Sequence, residues 1–506
     1  MREKGYLKQR YAAIFSSVGF ILFLSGPVMV TPLFALLVNP AEAVWIPAFV
    51  LPAGCLCLLG GILWRWLRPP SSITLSVCEG GVIVLVSWGL VPVFSAWPFM
   101  AVSGLSFSAA VFESVSGWTT TGLSVVDLTN AGPMILLWRS IMQLAGGAGL
   151  AIIMMSAIVG PTGVGISNAE GRGDQLVPHV RQSARLVLLI YIGYATAGTV
   201  AYRLAGMSLF DAVNHAFAAV STGGFGMYPD SIGHWDSAAV EAVSLVLMVL
   251  GNLSFVTAWF LVQGEFRWLI RNGEVRLMAV LIPLSAAAVF LYTTSCGLYP
   301  LLGKSLRVAL FGTVSALTTT GFSTVSYGNW NGFGMLVLIC LMLIGGGTCS
   351  TAGGIKQFRI HLLWKLLVWE IRRSLMPRSA VLERPLWEGN RQVFVDDARV
   401  RQVAVFVFLY LATYTLGALI LCACGYSLSD SLFEFASAMG TVGLSVGVSS
   451  PHMPLAGMWA EIFAMFLGRL ELIVVFVSLF KLCKDGQRAL ARTKNGNDHD
   501  GRKKRI

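Results

Sequence analysis

TTTGLS at 119–124, STGGFG at 221–226, TTTGFS at 318–323 and TVGLSV at 441–446 are the segments on which this chain turns. Each follows an apolar, helix-compatible stretch too short to cross a bilayer, and each is flanked by hydrophobic stretches long enough to do so. The key glycines read as Gly122, Gly223, Gly321 and Gly443, at intervals of 101, 98 and 122 residues. A fourfold repeat of span, short helix, glycine loop and span lets one chain surround a single path. The loops would offer backbone carbonyls in place of an ion's water.

Composition agrees. Of 506 residues, 56% are hydrophobic and 12% are charged, against about 25% charged in soluble domains. Residues 11–41, 43–64, 80–112, 140–169, 242–264, 277–303, 308–355, 402–429 and 435–460 contain no Asp, Glu, Lys or Arg. The class is an all-α polytopic membrane protein. Net charge is +11, and the positives fall in clusters at 2–10, 65–68, 172–185, 267–276, 356–401 and 481–505. Ten spans with both termini in the cytoplasm place every cluster on one side, which the positive-inside rule assigns to the cytoplasm. The basic end GRKKRI suits lipid headgroups rather than nucleic acid. Nine cysteines without C-x-x-C pairing and six scattered histidines predict no disulfide framework, no zinc and no covalent cofactor. HExxH is absent, so a membrane-embedded enzyme has no visible catalytic constellation.

The expected organisation is a transmembrane hairpin at 1–70, then repeats at 71–160, 184–265, 276–365 and 398–483, and a disordered cytoplasmic tail at 484–506. The connections 160–185 and 366–401 are too short for domains and read as surface helices or docking segments. Ser208-Leu-Phe-Asp211 and Ser427-Leu-Ser-Asp430 open the second and fourth short helices with an S-x-x-D cap. Those helices end at their loops, so the negative ends of their dipoles face the path.

FESVSGWTTTGLS, NHAFAAVSTGGF, ALTTTGFST and FASAMGTVGLS resemble, in order, the pore-helix-plus-filter segments of the Trk/Ktr/HKT superfamily of cation transporters. The added N-terminal hairpin makes the chain resemble its TrkH branch. The likeness covers about residues 70–483. It implies potassium uptake through four pseudo-symmetric units around one pore, a homodimer, and a cytosolic TrkA-like nucleotide-binding ring, so that nucleotide acts only through a partner. A proton- or sodium-coupled potassium symporter is the alternative mechanism. The implied filter is Thr120, Thr121, Gly122 and Leu123; Thr222, Gly223 and Gly224; Thr319, Thr320, Gly321 and Phe322; and Thr441, Val442, Gly443 and Leu444. Potassium would sit at Thr121 and Gly122, Thr222 and Gly223, Thr320 and Gly321, and Val442 and Gly443. In this superfamily serine at the first filter glycine accompanies sodium transport. Four glycines favour potassium.

Two further segments stand out. IGGGTCSTAGGIK interrupts a hydrophobic stretch at 344–356, and its glycines cost a helix about 1 kcal/mol each. A break here would place a loop under the filter, and the resemblance implies a gate formed by Gly345, Gly346, Gly347, Ser350, Thr351, Gly353 and Gly354. Arg469, in the last span, reads either as a positive charge lining the pore below the filter or as the ion-pair partner of Glu471 or Glu461. Glu113 and Glu434 stand nine residues before their filter glycines, where the other repeats have Asn214 and Gly312. They are expected to anchor the pore helices. Arg139 and Gln143 read as packing or anchoring residues with no ion role.

Overall fold

The computed structural model describes residues 2–68, 75–149, 180–377, 385–388 and 391–503. Residues 150–158, expected to complete a span, and most of the 160–185 connection lie outside them. The regular structure of the described chain is helical apart from one two-stranded antiparallel hairpin, Pro385–Glu388 with Arg391–Phe394, inside the connection read as a surface helix or docking segment. Helix Leu472–Lys503 runs through residues expected to be a disordered tail.

Among the described residues, six stretches are long and apolar enough to cross a membrane: Leu7–Leu37, Pro40–Trp66, Cys78–Ser103, Arg185–Leu204, Gly273–Ser295 and Asp397–Ala423. Their outward faces carry exposed apolar side chains such as Leu284 and Phe408, whereas Thr119, Thr120, Thr318 and Thr319 are fully buried. Apolar surface outside and polar groups inside is the pattern a bilayer imposes.

The N-terminal pair Arg2–Val30 and Ile46–Trp66 is joined through small residues. Gly19 and Gly60 lie so close to the opposing backbone that neither has room for a Cβ, as glycine contacts between membrane helices allow. The pair is seated on the first repeat by Glu42, whose Oε2 accepts from the N–H of Met134 at 2.8 Å, at the start of helix Pro133–Ala148.

Four short helices follow the same plan: Phe107–Trp118, Leu209–Val220, Leu302–Leu317 and Leu428–Gly440. Ser106, Ser208 and Ser427 cap three of them, each accepting a backbone N–H three residues on. The helix that follows each glycine loop packs on the short helix of the next repeat. Thus Pro133–Ala148 meets Leu209–Val220, and Ala238–Asn252 meets Leu302–Leu317. Gly332–Ile344 meets Leu428–Gly440, and Leu455–Leu470 returns to Phe107–Trp118. The ring closes on itself.

Among the described residues three of these following helices are broken, where glycine content suggested one break. Ala238–Asn252 turns by 116° into Phe255–Val262, and Leu455–Leu470 turns by 101° into Leu472 onward. Glu471 at the second bend has φ +58°. Gly332–Ile344 ends at Gly345, and the chain resumes as a helix at Gln357. Hydropathy averages over a window and does not register a turn of one or two residues.

Candidate functional site

All four short helices end in the same way. The N–H groups of Thr121, Gly223, Thr320 and Val442 donate to the carbonyls of Ser116, Ala218, Ser315 and Ser437 at 2.8–3.0 Å. The N–H groups of Thr120, Thr222, Thr319 and Thr441 donate to Gly117, Ala219, Ala316 and Ala438 at 3.1–3.3 Å. These are the paired bonds of a Schellman ending, whose left-handed position is usually glycine. Here it is threonine four times, with φ of 55°, 51°, 52° and 50°. A residue with a Cβ loses about 1–2 kcal/mol in this conformation, and the chain accepts that loss four times over. What threonine adds over glycine is a hydroxyl beneath each loop.

This geometry sets the register and corrects one expectation. Two residues after each left-handed threonine comes a glycine with positive φ: Gly122 at 97°, Gly224 at 71°, Gly321 at 82° and Gly443 at 99°. The second repeat therefore aligns through Gly224, not Gly223, and the equivalents of Thr121 and Gly122 are Gly223 and Gly224 rather than Thr222 and Gly223. In STGG either glycine fits the sequence pattern, and only the backbone angles choose. The glycine spacings become 102, 97 and 122 residues. His215, not Asn214, then corresponds to Glu113 and Glu434.

The four glycines also close a circle. A Cβ on Gly122 would overlap the carbonyl oxygen of Gly223, and one on Gly224 that of Thr320. One on Gly321 would overlap that of Val442, and one on Gly443 that of Thr121. Each loop thus lies in van der Waals contact with the next, in the order one, two, three, four, one.

The loops are braced from behind. Glu113 accepts from the Ser124 hydroxyl and the Val125 N–H, both at 2.9 Å. Glu434 accepts from Ser445 at 2.6 Å and from the Val446 N–H at 3.0 Å. The expected anchoring role of both carboxylates therefore takes the form of tethers on the strand that leaves each loop. Ser116 and Ser437, six residues before their glycines, accept the N–H groups of Gly122 and Gly443 at 3.1 and 2.9 Å.

Arg139 and Gln143, read as packing or anchoring residues, anchor. The guanidinium of Arg139 pairs with Glu113 at 2.7 Å, donates to the Gly226 carbonyl at 2.8 Å and lies 3.9 Å over the Phe225 ring. Gln143 donates to the Gly223 carbonyl at 2.5 Å and accepts from the Phe225 N–H at 3.2 Å. The second helix of repeat one therefore holds the loop of repeat two. Which loop they hold was not legible in the sequence, because partners 80 or more residues apart leave no local pattern.

The glycine-rich break lies directly under the threonines. Thr222 bonds the hydroxyl of Thr351 at 3.0 Å, and Thr319 accepts the N–H of Gly353 at 2.9 Å. A Cβ on Gly353 would strike the Thr441 hydroxyl. Three of the four loops thus touch this one segment. It is held from the sides as well: Gly347 N–H donates to the Asn252 side chain at 3.2 Å, and Thr348 N–H to Glu274 at 2.8 Å. Gly345, Gly346 and Gly354 sit at the neck, where the segment doubles back and Gly346 N–H meets the Gly353 carbonyl at 3.0 Å. Ser350 folds inward to the Gly347 carbonyl at 2.6 Å.

Arg469 donates to the Thr351 carbonyl at 2.6 Å and to the Gly146 carbonyl at 2.7 Å. It bridges the break to repeat one. Glu471 forms an ion pair at 2.8 Å with Arg359, on the helix just beyond the break. Arg469, Lys356 and Glu471 line a cavity of about 20 Å³ beneath Gly353. Beyond it, a cavity of about 570 Å³ opens between Thr348, Arg359, Arg399 and the Trp387 hairpin. Among the described residues no group of three or more His, Cys, Asp or Glu is placed to hold a metal. Backbone carbonyls and hydroxyls are the oxygens this site offers.

A family model described as the cation transport protein TrkH matches residues 48–488. The chain is 31% identical over 474 residues to the Trk system potassium uptake protein TrkG of Escherichia coli, covering 91% of this chain and 96% of that protein. It is 31% identical over 435 residues to an uncharacterized cation transporter, MJ1485, of Methanocaldococcus jannaschii, covering 85% and 87%. The crystal structure of the potassium transporter TrkH from Vibrio parahaemolyticus superposes with a TM-score of 0.82 at 27% identity, over 93% of this chain and 98% of that one.

Proposed function

This chain belongs to the TrkH family of cation transport proteins, and from that premise we propose that it takes up potassium through a filter formed by its four glycine loops. It is a multi-pass membrane transport protein, not an enzyme. The observation that carries the proposal is the closed circle of contacts from Gly122 to Gly223, Gly224 to Thr320, Gly321 to Val442 and Gly443 to Thr121. Four backbone segments in mutual contact, each with positive-φ glycine, can aim carbonyls at one axis. Four buried threonine hydroxyls beneath them add a further ring of oxygens. The dipoles of four short helices point their negative ends at the same place.

The segment 345–356 acts as the gate. Its bonds to Thr222 and Thr319 support a closed state, because an ion leaving the filter inward would have to displace them. Arg469 sets a positive charge at that level, and its bond to the Thr351 carbonyl ties it to the gate. A homodimer in a bacterial inner membrane, with both termini cytoplasmic and a TrkA-like nucleotide-binding ring below, completes the reading. The helix Gln357–Ser374, which leaves the gate with basic residues in its last turn, is the route by which such a partner would pull.

Reconstitution in liposomes tests this. Potassium and rubidium flux should exceed sodium flux, with a reversal potential that follows the cation gradient alone. A reversal potential that moves with pH or sodium would replace the channel mechanism by coupling. Equal flux of all three ions would reject the filter.

A further inference from the structure

The brace behind the fourth loop differs from the brace behind the first, and the difference points to a bound proton. Gly146, Gly251 and Gly468 each press against a short-helix carbonyl, those of Trp118, Val220 and Met439. These carbonyls stand four residues before Gly122, Gly224 and Gly443, so the three glycines are equivalent. Seven residues before each lie Arg139, Ser244 and Glu461. In repeat one the carboxylate Glu113 is thus met by a cation. In repeat four the carboxylate Glu434 is met by a second carboxyl group.

Both Glu434 and Glu461 are fully buried, and the hydroxyl of Ser449 lies between them. It is 2.6 Å from Glu434 Oε1 and 2.9 Å from Glu461 Oε2. A serine hydroxyl has one proton to give. Glu434 also accepts from the Ser445 hydroxyl and from the N–H groups of Val446 and Ser449, the surroundings of an ionised carboxylate. If Ser449 donates to Glu434, the contact to Glu461 needs a proton from Glu461. The other oxygen, Glu461 Oε1, is buried with no hydrogen-bond partner, a place that suits the carbonyl of a neutral acid far better than half of a carboxylate.

The described surroundings supply no cation. Helix Leu428–Gly440 presents Glu434, and its other acid, Asp430, is bonded to the cap Ser427. Helix Phe107–Trp118 has one titratable residue, Glu113, already paired with Arg139. The end of helix Asp397–Ala423 and the turn after it bring Cys422, Cys424 and Tyr426, the last within electrostatic reach of both Glu434 and Glu461. The loop after the filter adds His452, on the exposed surface. Neither Glu434 nor Glu461 has an ion-pair partner among the described residues.

We propose that Glu461 is a proton-binding site. At neutral pH its carboxyl group holds a proton and donates it to Ser449, so the pair carries one negative charge rather than two, the usual outcome when two carboxyls share a site. Loss of the proton in alkaline medium sets two carboxylates about one hydroxyl, loosens the tether from Ser445 to Ser449, and lowers transport through the fourth loop.

The test compares wild type with Glu461→Gln, whose amide keeps a donor for Ser449 and carries no charge. Infrared difference spectra of the reconstituted protein between neutral and alkaline buffer should show a protonated-carboxyl C=O band that disappears in Glu461→Gln. Thermal midpoint and yield should match wild type. Flux should fall at alkaline external pH in wild type and stay level in the variant. A wild-type spectrum without that band, or a band that survives in Glu461→Gln, overturns the proposal. So does a variant with a lower midpoint restored by added monovalent or divalent cation, which would make the pair a cation site. The flux arm alone rests on the potassium-transport reading, so in a protein that moves no potassium the infrared band still decides whether Glu461 holds a proton.

Discussion

The register of the second loop gives the most discriminating experiment, because two adjacent glycines make opposite forecasts. Gly224 has φ +71°, and a Cβ there would overlap the backbone carbonyl of Thr320. Gly224→Ala therefore loses about 1–2 kcal/mol to the left-handed conformation alone. It must also turn or push a carbonyl proposed to face the ion, and a carbonyl lacks the freedom of a side-chain end. Each 1.4 kcal/mol withdrawn from ion binding is about tenfold in affinity. Gly223 is different. Its φ is not in the left-handed range, and the atoms nearest a Cβ there would be those of the Gln143 amide end. Gly223→Ala displaces a side-chain end at the loss of at most two buried hydrogen bonds, about 0.5–1.5 kcal/mol each. Shortening the neighbour in Gly223→Ala/Gln143→Ala should relieve the overlap, and the pair should be non-additive. Rubidium uptake into liposomes, with potassium and sodium as competitors, reads affinity and selectivity. Detergent melting curves read stability. Gly224→Ala should lose about tenfold or more in potassium affinity and a large part of its preference over sodium. Gly223→Ala should lose less and recover in the double variant. Equal losses at the two positions, or a Gly224→Ala protein with wild-type selectivity, would refute the register and with it the carbonyl circle.

Other outcomes follow from the same geometry. A cation passing roughly 10 Å from Arg469 is repelled by about 1.7 kcal/mol at an effective dielectric of 20, so Arg469→Ala should raise potassium flux or shift its voltage dependence. A well-folded variant with unaltered conductance would remove Arg469 from the pathway. Deleting residues 350–353 takes away the contacts to Thr222, Thr319 and Thr441. It should raise basal flux and weaken its response to a cytosolic partner, whereas unchanged flux would make the segment mere packing. Glu113→Ala strands the buried Arg139 guanidinium and should lose about 3–5 kcal/mol of stability, and Glu113→Gln rather less. Melting curves that place both within error of wild type would contradict the brace. On an exposed loop, the hydrogen bond from Lys304, with Arg307 beside it, holds the Asp236 carboxyl below its usual range. Its folded-state value is depressed, so its stabilisation is present above the ordinary carboxylate value near 3.9 and lost as pH falls through the lower one. Asp236→Asn should flatten the acid limb of a stability-against-pH curve, and an unchanged limb would show that the exposed pair contributes nothing.

Much of this arrangement was legible in the chain. The uncharged runs announced membrane spans, and four loops after short apolar helices announced a ring. The break at 345–356 was visible because five glycines in ten residues cannot sustain a helix. The capping serines Ser208 and Ser427 were readable because a cap is a local bond three residues long. What escaped notice has one character. The bends at Leu253–Ser254 and at Glu471 involve one or two residues inside apolar runs. The bonds of Gln143 to Gly223, Asn252 to Gly347 and Arg359 to Glu471 join residues 80, 95 and 112 positions apart. Glu471 next to Arg469 suggested a pair by proximity, yet its bonds go to Arg359 on a different helix.

By itself the sequence determined that the chain lives in a membrane, that it is built from four like units, and where each unit bends back. These follow from hydropathy, helix length and glycine content, which act over a few residues whatever the rest of the chain does. Only the tertiary structure decided which glycine of STGG faces its neighbour, that threonine takes the left-handed position under every loop, and that Glu434 faces another acid where Glu113 faces an arginine. Those outcomes depend on which carbonyl or side chain from a distant repeat fills the space beside a residue. Packing around a closed ring sets that, and no local property of the chain encodes it.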